Sequence, residues 1–542
     1  MTGLASRAIQ EMEYLMCALS GLLASVLIFF SKLSLVRRVG TSPYGSDVYF
    51  HLLYADIIRT NKHRVSVVDS RFLLLPIFRY PPGLHWLFSF LSRDLLEKYQ
   101  AYIPVLIKSL VTYIVAAAAG YVSLHVHPGK GLLAAESALV AGLVYGLSPI
   151  NRNANRNNLS DFAFGPRSLG VLLSSLACFL AIAMTMHISF FKTGLLVILI
   201  AFTCLSSQFG FQSILFILGV YAVISGFWQG PVFVLCGVVL AIAVTGGLYW
   251  KILKNRLTQH LKVHARRLAD EVRGDVRSIF TTLDLLRLPW YLVRRRFGKA
   301  WVLAQKNVAL RGIVLFPVHL ICGFLLVRYQ SAWQQNAWLH CLAALWLSAL
   351  IVFALVSLPW FKFVGEADRY LEYVGFFPAT ILAVILLPYI AGDKLIIGVI
   401  FLLLGLCYQV INDLSPAPDQ VSSAEEEHLW GHLGELSSKG ARLLCIPITD
   451  SYRFIYRAGI PCAMFGAITE EVYEKTMYSY PIPRLDFEFF QENYGVTHIL
   501  VRKRYLRRPE IEDAVRHLAV EFETSEHSLY ELLPREVEKE AS

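Results

Sequence analysis

The chain has 542 residues, 56% of them hydrophobic and 17% charged, where a soluble protein carries roughly a quarter charged residues. That balance excludes an ordinary soluble enzyme, a disordered chain, a collagen and a small disulfide scaffold. The net charge of +10 is itself divided, with +19 up to Ile411 and −9 beyond it.

In chain order, apolar windows fall near 14–31, 102–124, 132–150, 166–188, 193–206, 211–228, 231–250, 312–328, 336–358, 373–391 and 394–411. Each approaches the ~20 residues that cross a bilayer, which predicts a polytopic α-helical membrane protein of about eleven spans. The first window ends without an A-x-A site and reads as a retained signal anchor. Segment 71–91 is apolar too, but Tyr80-Pro-Pro-Gly83 breaks a helix, so a re-entrant or interfacial piece is expected there. The spans around Ser206-Ser-Gln-Phe-Gly210 are short, as where irregular backbone lines a polar cavity.

The Pro-rich stretch Asn412–Asp419 marks a linker. It separates a basic membrane domain, 1–411, from an acidic soluble domain, 412–542. In the latter, strand-like runs at 442–448, 498–502 and 518–522 alternate with helical stretches at 470–477 and 511–517, a small α/β pattern. Nine cysteines are scattered without ligand spacing; Cys445 and Cys462 in the tail are core thiols or, facing an oxidising space, a pair.

Four polar loops interrupt the spans. The first, 32–101, is about 70 residues long and carries Gly45-Ser-Asp-Val-Tyr-Phe-His51. The second, 151–166, holds Arg152, Arg156 and Asp161; the third, 251–311, is strongly basic; the fourth, 361–370, holds Glu366, Asp368 and Arg369. Counting from a cytoplasmic N-terminus puts all four and the tail outside. If the 206–210 break is a kink rather than a turn, the third loop and the tail move to the cytoplasm. Basic loops favour the cytoplasmic side, but that tendency weakens above about 60 residues.

Asp47 and His51 lie on one face if their stretch is helical, where a carboxylate can act as a base or hold a divalent cation. The competing reading is an interfacial helix with Tyr49, Phe50 and Tyr54 among headgroups. Arg152 and Arg156 suit phosphate, which guanidinium groups bind bidentately; a solvated turn is the alternative. Ionisable residues gathered before a span, as at 366–372, are functional candidates, or else a structural ion pair of Arg369 with Glu366 or Asp368. The basic loop reads as amphipathic helix attracting anionic lipid, and its place between spans argues against a nucleic-acid partner. Nucleotide, zinc and hydrolase motifs are absent from the sequence.

Three stretches carry a resemblance. Asp47-Val-Tyr-Phe-His51 looks like the Asp-x-Tyr-x-His signature of oligosaccharyltransferase catalytic subunits. Tyr80-Pro-Pro-Gly-Leu-His85 resembles the Pro-rich stretch of archaeal members, and Arg369-Tyr-Leu-Glu-Tyr resembles their Arg-Phe start of a late span. Together with the layout of loops, spans and tail, they resemble the GT-C class of membrane glycosyltransferases. The resemblance implies a polyprenyl-phosphate-linked sugar donor, with Asp47 and His51 catalytic. It implies Arg369 at the donor phosphate, where Arg152 and Arg156 also suit phosphate, and Asp47, Asp161 and Glu366 around Mg²⁺ or Mn²⁺. It also implies an inner-membrane protein with its tail extracytoplasmic. The tail departs from the family in having no Trp-Trp-Asp-Tyr-Gly motif, so the expected acceptor is a glycan, lipid or polysaccharide rather than protein asparagine. A non-catalytic flippase of lipid-linked glycans, or an envelope assembly scaffold, is the alternative.

Overall fold

A computed structural model describes residues 2–39, 43, 46–148, 164–259, 261, 281–315, 317–365, 367–390, 424–479 and 481–532. The chain packs as two units. One comprises Met1–Thr41, Tyr99–Tyr249 and Arg277–Pro418, and the other Ser42–Lys98, Trp250–Val276 and Asp419–Ser542.

The first unit is helical. Arg7–Ser34, Tyr102–Val126, Pro166–Met186, Gln208–Ser225 and Ala337–Val356 are long and apolar enough to cross a membrane. Gly131–Leu147, Phe190–Ser206, Gln229–Val244, Pro317–Arg328 and Phe376–Ile385 are shorter apolar helices. These ten coincide with the predicted windows up to 391; the window 394–411 lies outside the described residues. The Thr2–Val39, Tyr102–Val126 and Gly131–Leu147 helices pack on one another. Small residues permit that closeness: a Cβ on Gly142 would stand 2.7 Å from the Ala24 Cβ and 3.2 Å from the Ala116 Cβ.

The break at 206–210 is a turn. Ser207 alone leaves helical geometry, with φ −142° and ψ 112°, and its hydroxyl caps the next helix by accepting from the Gly210 amide at 3.2 Å. A Cβ on Gly210 would meet Thr203 Cγ2 at 3.0 Å. Seven residues of straight helix would set those positions about 10 Å apart, so the two helices fold sharply about Ser207.

The second unit joins the first polar loop to the tail. In the tail a four-stranded sheet has the order β1-β4-β6-β5, from β1 (Leu443–Ile446), β4 (His498–Arg502), β5 (Val520–Glu523) and β6 (His527–Glu531); β2 (Met477–Ser479) and β3 (Ile482–Pro483) form a separate pair. β1 and β4 are parallel with Leu443 opposite His498, and β4 and β6 are antiparallel with Leu500 opposite Leu529. Helices Ala424–Ser438, Ser451–Ala458, Glu470–Thr476, Phe487–Tyr494 and Pro509–Val515 complete an α/β domain.

The apolar segment expected as a re-entrant or interfacial piece is bound to this domain. The Leu73 and Leu74 amides donate to the Cys462 and Met464 carbonyls at 3.0 Å, and the Cys462 amide donates to Arg71 O at 2.9 Å. Phe72 and Leu75 pair in parallel with Cys462 and Phe465, and Cys462 pairs in turn with Leu443 of β1. Phe72, Phe78 and Leu84 are buried. Each such side chain contributes ~1.5–3 kcal/mol, while Ile77, Trp86, Leu87 and Phe90 of the same segment stay exposed. Segments paired backbone to backbone share one side of a bilayer. The first loop and the tail are therefore on the same side.

Candidate functional site

Asp47 and His51 sit on the Ser46–Thr60 helix, with Asp47 in its first turn, where a carboxylate complements the helix dipole. The helix buries Val48, Tyr49, Leu52, Leu53, Tyr54, Ile57 and Ile58, a stripe at helical spacing. Those side chains meet protein rather than headgroups. Phe50 lies against Tyr452 with ring centroids 5.0 Å apart, and Tyr49 against Tyr456 at 5.9 Å. Ion pairs frame the contact: Arg457 with Glu97, and Arg453 with Glu426. Tyr456 donates to Glu97 Oε2 at 3.2 Å. The tail helix Ser451–Ala458 is thus docked on the helix that carries Asp47.

Asp47 is exposed and His51 half-buried. His51 Nδ1 lies 2.9 Å from His85 Nε2, and His85 Nδ1 lies 3.2 Å from Pro81 O. His85 is completely buried. Burial pushes the His51 ring down to about 3. Burial, then the neighbouring His51, pushes His85 well below its ordinary value, opposed by its hydrogen bond to Pro81. A ring so hard to protonate is a neutral imidazole at neutral pH, with no imidazolium proton to act as a general acid, and is a weak general base. It can lend a lone pair.

Arg369 belongs to the first unit. It opens the Asp368–Val374 helix and stacks over Phe209, its guanidinium carbon 4.0 Å from the ring centre. On the same helix, buried Glu372 accepts from Arg167 Nε at 2.7 Å. Buried Lys108 feels the charges of Lys32, Glu372 and Arg167, and Tyr373 those of Glu372, Arg167 and Arg369. Basic side chains from four helices therefore gather near one carboxylate. Arg152, Arg156, Asp161 and Glu366 lie outside the described residues. Cys445 and Cys462 are buried, unbonded thiols.

Among the described residues no group of three or more His, Cys, Asp or Glu could hold a metal ion. The described residues supply only two donors there. Asp47 and His51 are one turn apart, an oxygen and a nitrogen ligand at the i, i+4 spacing that places both on one helix face.

Sequence reasoning quoted His85 without giving it a role, because no spacing rule links residues 51 and 85. Nor does any rule link Arg167 to Glu372, 205 positions away.

No family model and no curated protein matches the sequence. Solved structures do match in shape. The oligosaccharyltransferase of Archaeoglobus fulgidus, in a complex with Zn and sulfate, aligns with a TM-score of 0.53 at 10% identity, over 91% of this chain and 69% of that one. The same archaeal enzyme, AglB, bound to an inhibitory peptide and a dolichol-phosphate, aligns at 0.52 with 12% identity, over 93% and 72%. ArnT from Cupriavidus metallidurans aligns at 0.50 with 12% identity, over 94% and 97%. The chain thus has the fold of the GT-C membrane glycosyltransferases, a polytopic helical membrane protein with a C-terminal α/β domain, and is remotely similar to oligosaccharyltransferase catalytic subunits.

Proposed function

We propose that this protein is a membrane glycosyltransferase. It moves a sugar from a polyprenyl-phosphate-linked donor to a glycan, lipid or polysaccharide acceptor on the outer face of the cell (inner) membrane. The observation that carries this reading is a GT-C fold over more than nine-tenths of the chain, with an exposed carboxylate, Asp47, on a helix that buries a stripe of apolar side chains. The dolichol-phosphate in one archaeal neighbour supports a lipid-linked donor.

In this reading the Asp47 carboxylate takes the proton of an acceptor hydroxyl. The acceptor oxygen bonds to the anomeric carbon as the carbon–oxygen bond to phosphate breaks, and polyprenyl phosphate leaves. Direct displacement inverts the sugar carbon. Arg369, with Arg152 and Arg156, binds the donor phosphate, and Arg167 near the Arg369 helix supports an anion there. A divalent cation held by Asp47, Asp161 and Glu366 would neutralise charge on the leaving phosphate. The tail, docked beside Asp47, helps to bind the acceptor.

The test is transfer from a panel of polyprenyl-phosphate sugars by membranes containing the protein, with Mn²⁺ or EDTA, read by mass spectrometry of the acceptor fraction. Transfer of one sugar class, abolished by EDTA, is expected. No transfer from any donor, with lipid-linked glycan moved across vesicles instead, points to a flippase.

A further inference from the structure

The end of the basic third loop is pinned to the end of a span. The Thr282 amide donates to the Ser357 carbonyl at 3.1 Å, immediately after the Ala337–Val356 helix, and Asn307 Nδ2 donates to Thr281 O at 2.7 Å. A helix of that length reaches from one bilayer surface to the other. Residues 281–307 therefore leave and rejoin the protein at headgroup depth. Between the anchors lie two short helices, Leu288–Val293 and Phe297–Lys306. Ala300 and Leu303 of the second are buried against protein. Other large apolar side chains stand outside: Leu286 is 79% exposed and Val293 78%, with Trp290, Phe297 and Trp301 each more than half exposed. Phe297 and Trp301 share a helix face at the i, i+4 spacing. Such a patch marks a surface for lipid or protein, and tryptophan is a residue of the bilayer interface.

Charge decides between the two. From Leu285 to Asn307 the sequence holds six bases and no acid. Arg294, Arg295, Arg296 and Lys299 are exposed, and the Arg294 guanidinium carbon lies 4.4 Å from the centre of the Trp290 ring. The Leu288–Val293 helix closes in a Schellman turn, with the Arg296 amide donating to Tyr291 O at 2.8 Å and the Arg295 amide to Leu292 O at 3.0 Å. Arg295, at φ 52°, holds the left-handed position that glycine usually takes. An arginine is disfavoured there, and what it adds is a third adjacent charge. We propose that this segment is a binding surface for anionic lipid headgroups. Trp290, Phe297 and Trp301 enter the boundary between headgroups and acyl chains, and Arg294–Arg296 with Lys299 take the lipid phosphates, which guanidinium groups bind bidentately. The surface is independent of the glycosyl-transfer reading.

The experiment places the purified full chain in nanodiscs of mixed phosphatidylcholine and phosphatidylglycerol, and native mass spectrometry reads the lipids that stay bound. The wild type is expected to retain phosphatidylglycerol over phosphatidylcholine by about fivefold or more, the factor that one surface cation contributes near anionic lipid. Arg294→Gln, Arg295→Gln and Arg296→Gln together should lower that preference at least about threefold, whereas the same three positions changed to Lys keep it. In parallel, the emission of Trp290 and Trp301, taken as wild type minus the variant Trp290→Phe with Trp301→Phe, should fall in lipids brominated near the headgroup. Equal retention of the two lipids by wild type overturns the proposal, and so does an undiminished preference in the Gln variant or a Lys variant as impaired as the Gln one. Emission from the two tryptophans that bromine does not quench also overturns it, and leaves the patch to a protein partner or a second copy of the chain. Should the Gln variant fail to fold, the quenching decides alone.

Discussion

The two units solve the same problem with opposite surfaces. In the membrane unit large apolar side chains face outward, as with Phe190 at 96% exposure and Val327 at 81%, while Arg167 and Glu372 are turned inward and paired. In the loop–tail unit Leu443, Phe454 and Val501 are buried, and the tail's excess acids lie mostly at the surface. The difference follows from solvent. Lipid accepts apolar side chains and rejects charge, so polar groups of the first unit must find one another. It teaches that apolar content alone does not locate a segment: 71–78 is as apolar as a span, yet its phenylalanines serve the tail.

The comparison can be broken first at the inward charges. Glu372→Leu removes the buried carboxylate that Arg167 pairs with and is expected to cost ~3–5 kcal/mol, as for other buried pairs that lose one member. Thermal unfolding in detergent checks this. Replacing both, Arg167→Met with Glu372→Leu, should recover most of the loss; a double variant no better than the single one would mean the pair is not the cause. On the other side of the comparison, Phe72→Ala should cost ~3–4 kcal/mol by opening a cavity beneath the tail. Hydrogen exchange would then rise at the Leu73, Leu74 and Cys462 amides and leave the membrane helices unchanged.

A smaller effect is expected from pH. His51 and His85 have folded-state values below the unfolded 6.5. The unfolded chain binds protons that the folded one refuses, so stability is full above pH 6.5 and declines as pH falls toward 3. The slope is at most about 1.4 kcal/mol per pH unit for each ring. His85→Gln should flatten the fall of the melting temperature between pH 7 and 5; an unchanged slope would refute the assignment. Smallest is Ser207→Ala, which loses a helix cap worth ~1 kcal/mol and should loosen the turn without changing which side the tail occupies.

Much of the architecture was legible in the sequence because its signal is local. Apolar windows gave the ten described apolar helices, and alternation placed β1, β4 and β5 nearly where they lie. β6 escaped because His527-Ser-Leu-Tyr-Glu531 begins and ends polar, and is a strand through pairing with β4 and β5. The fate of 71–78 was invisible because its partner lies almost 400 residues away. The candidate site divides the same way. Asp47 and His51 could be picked from i, i+4 spacing on one helix, while His85 and the Arg167–Glu372 pair depend on contacts that no local pattern encodes.

The claim that matters most is that Asp47 does chemistry. It is tested by sugar transfer from the donor found active, comparing wild type with Asp47→Asn at equal expression and equal melting temperature. The account predicts a loss of about 10²–10⁴-fold in transfer with the loop–tail unit still folded. An Asp47→Asn protein that transfers sugar as fast as wild type would contradict it.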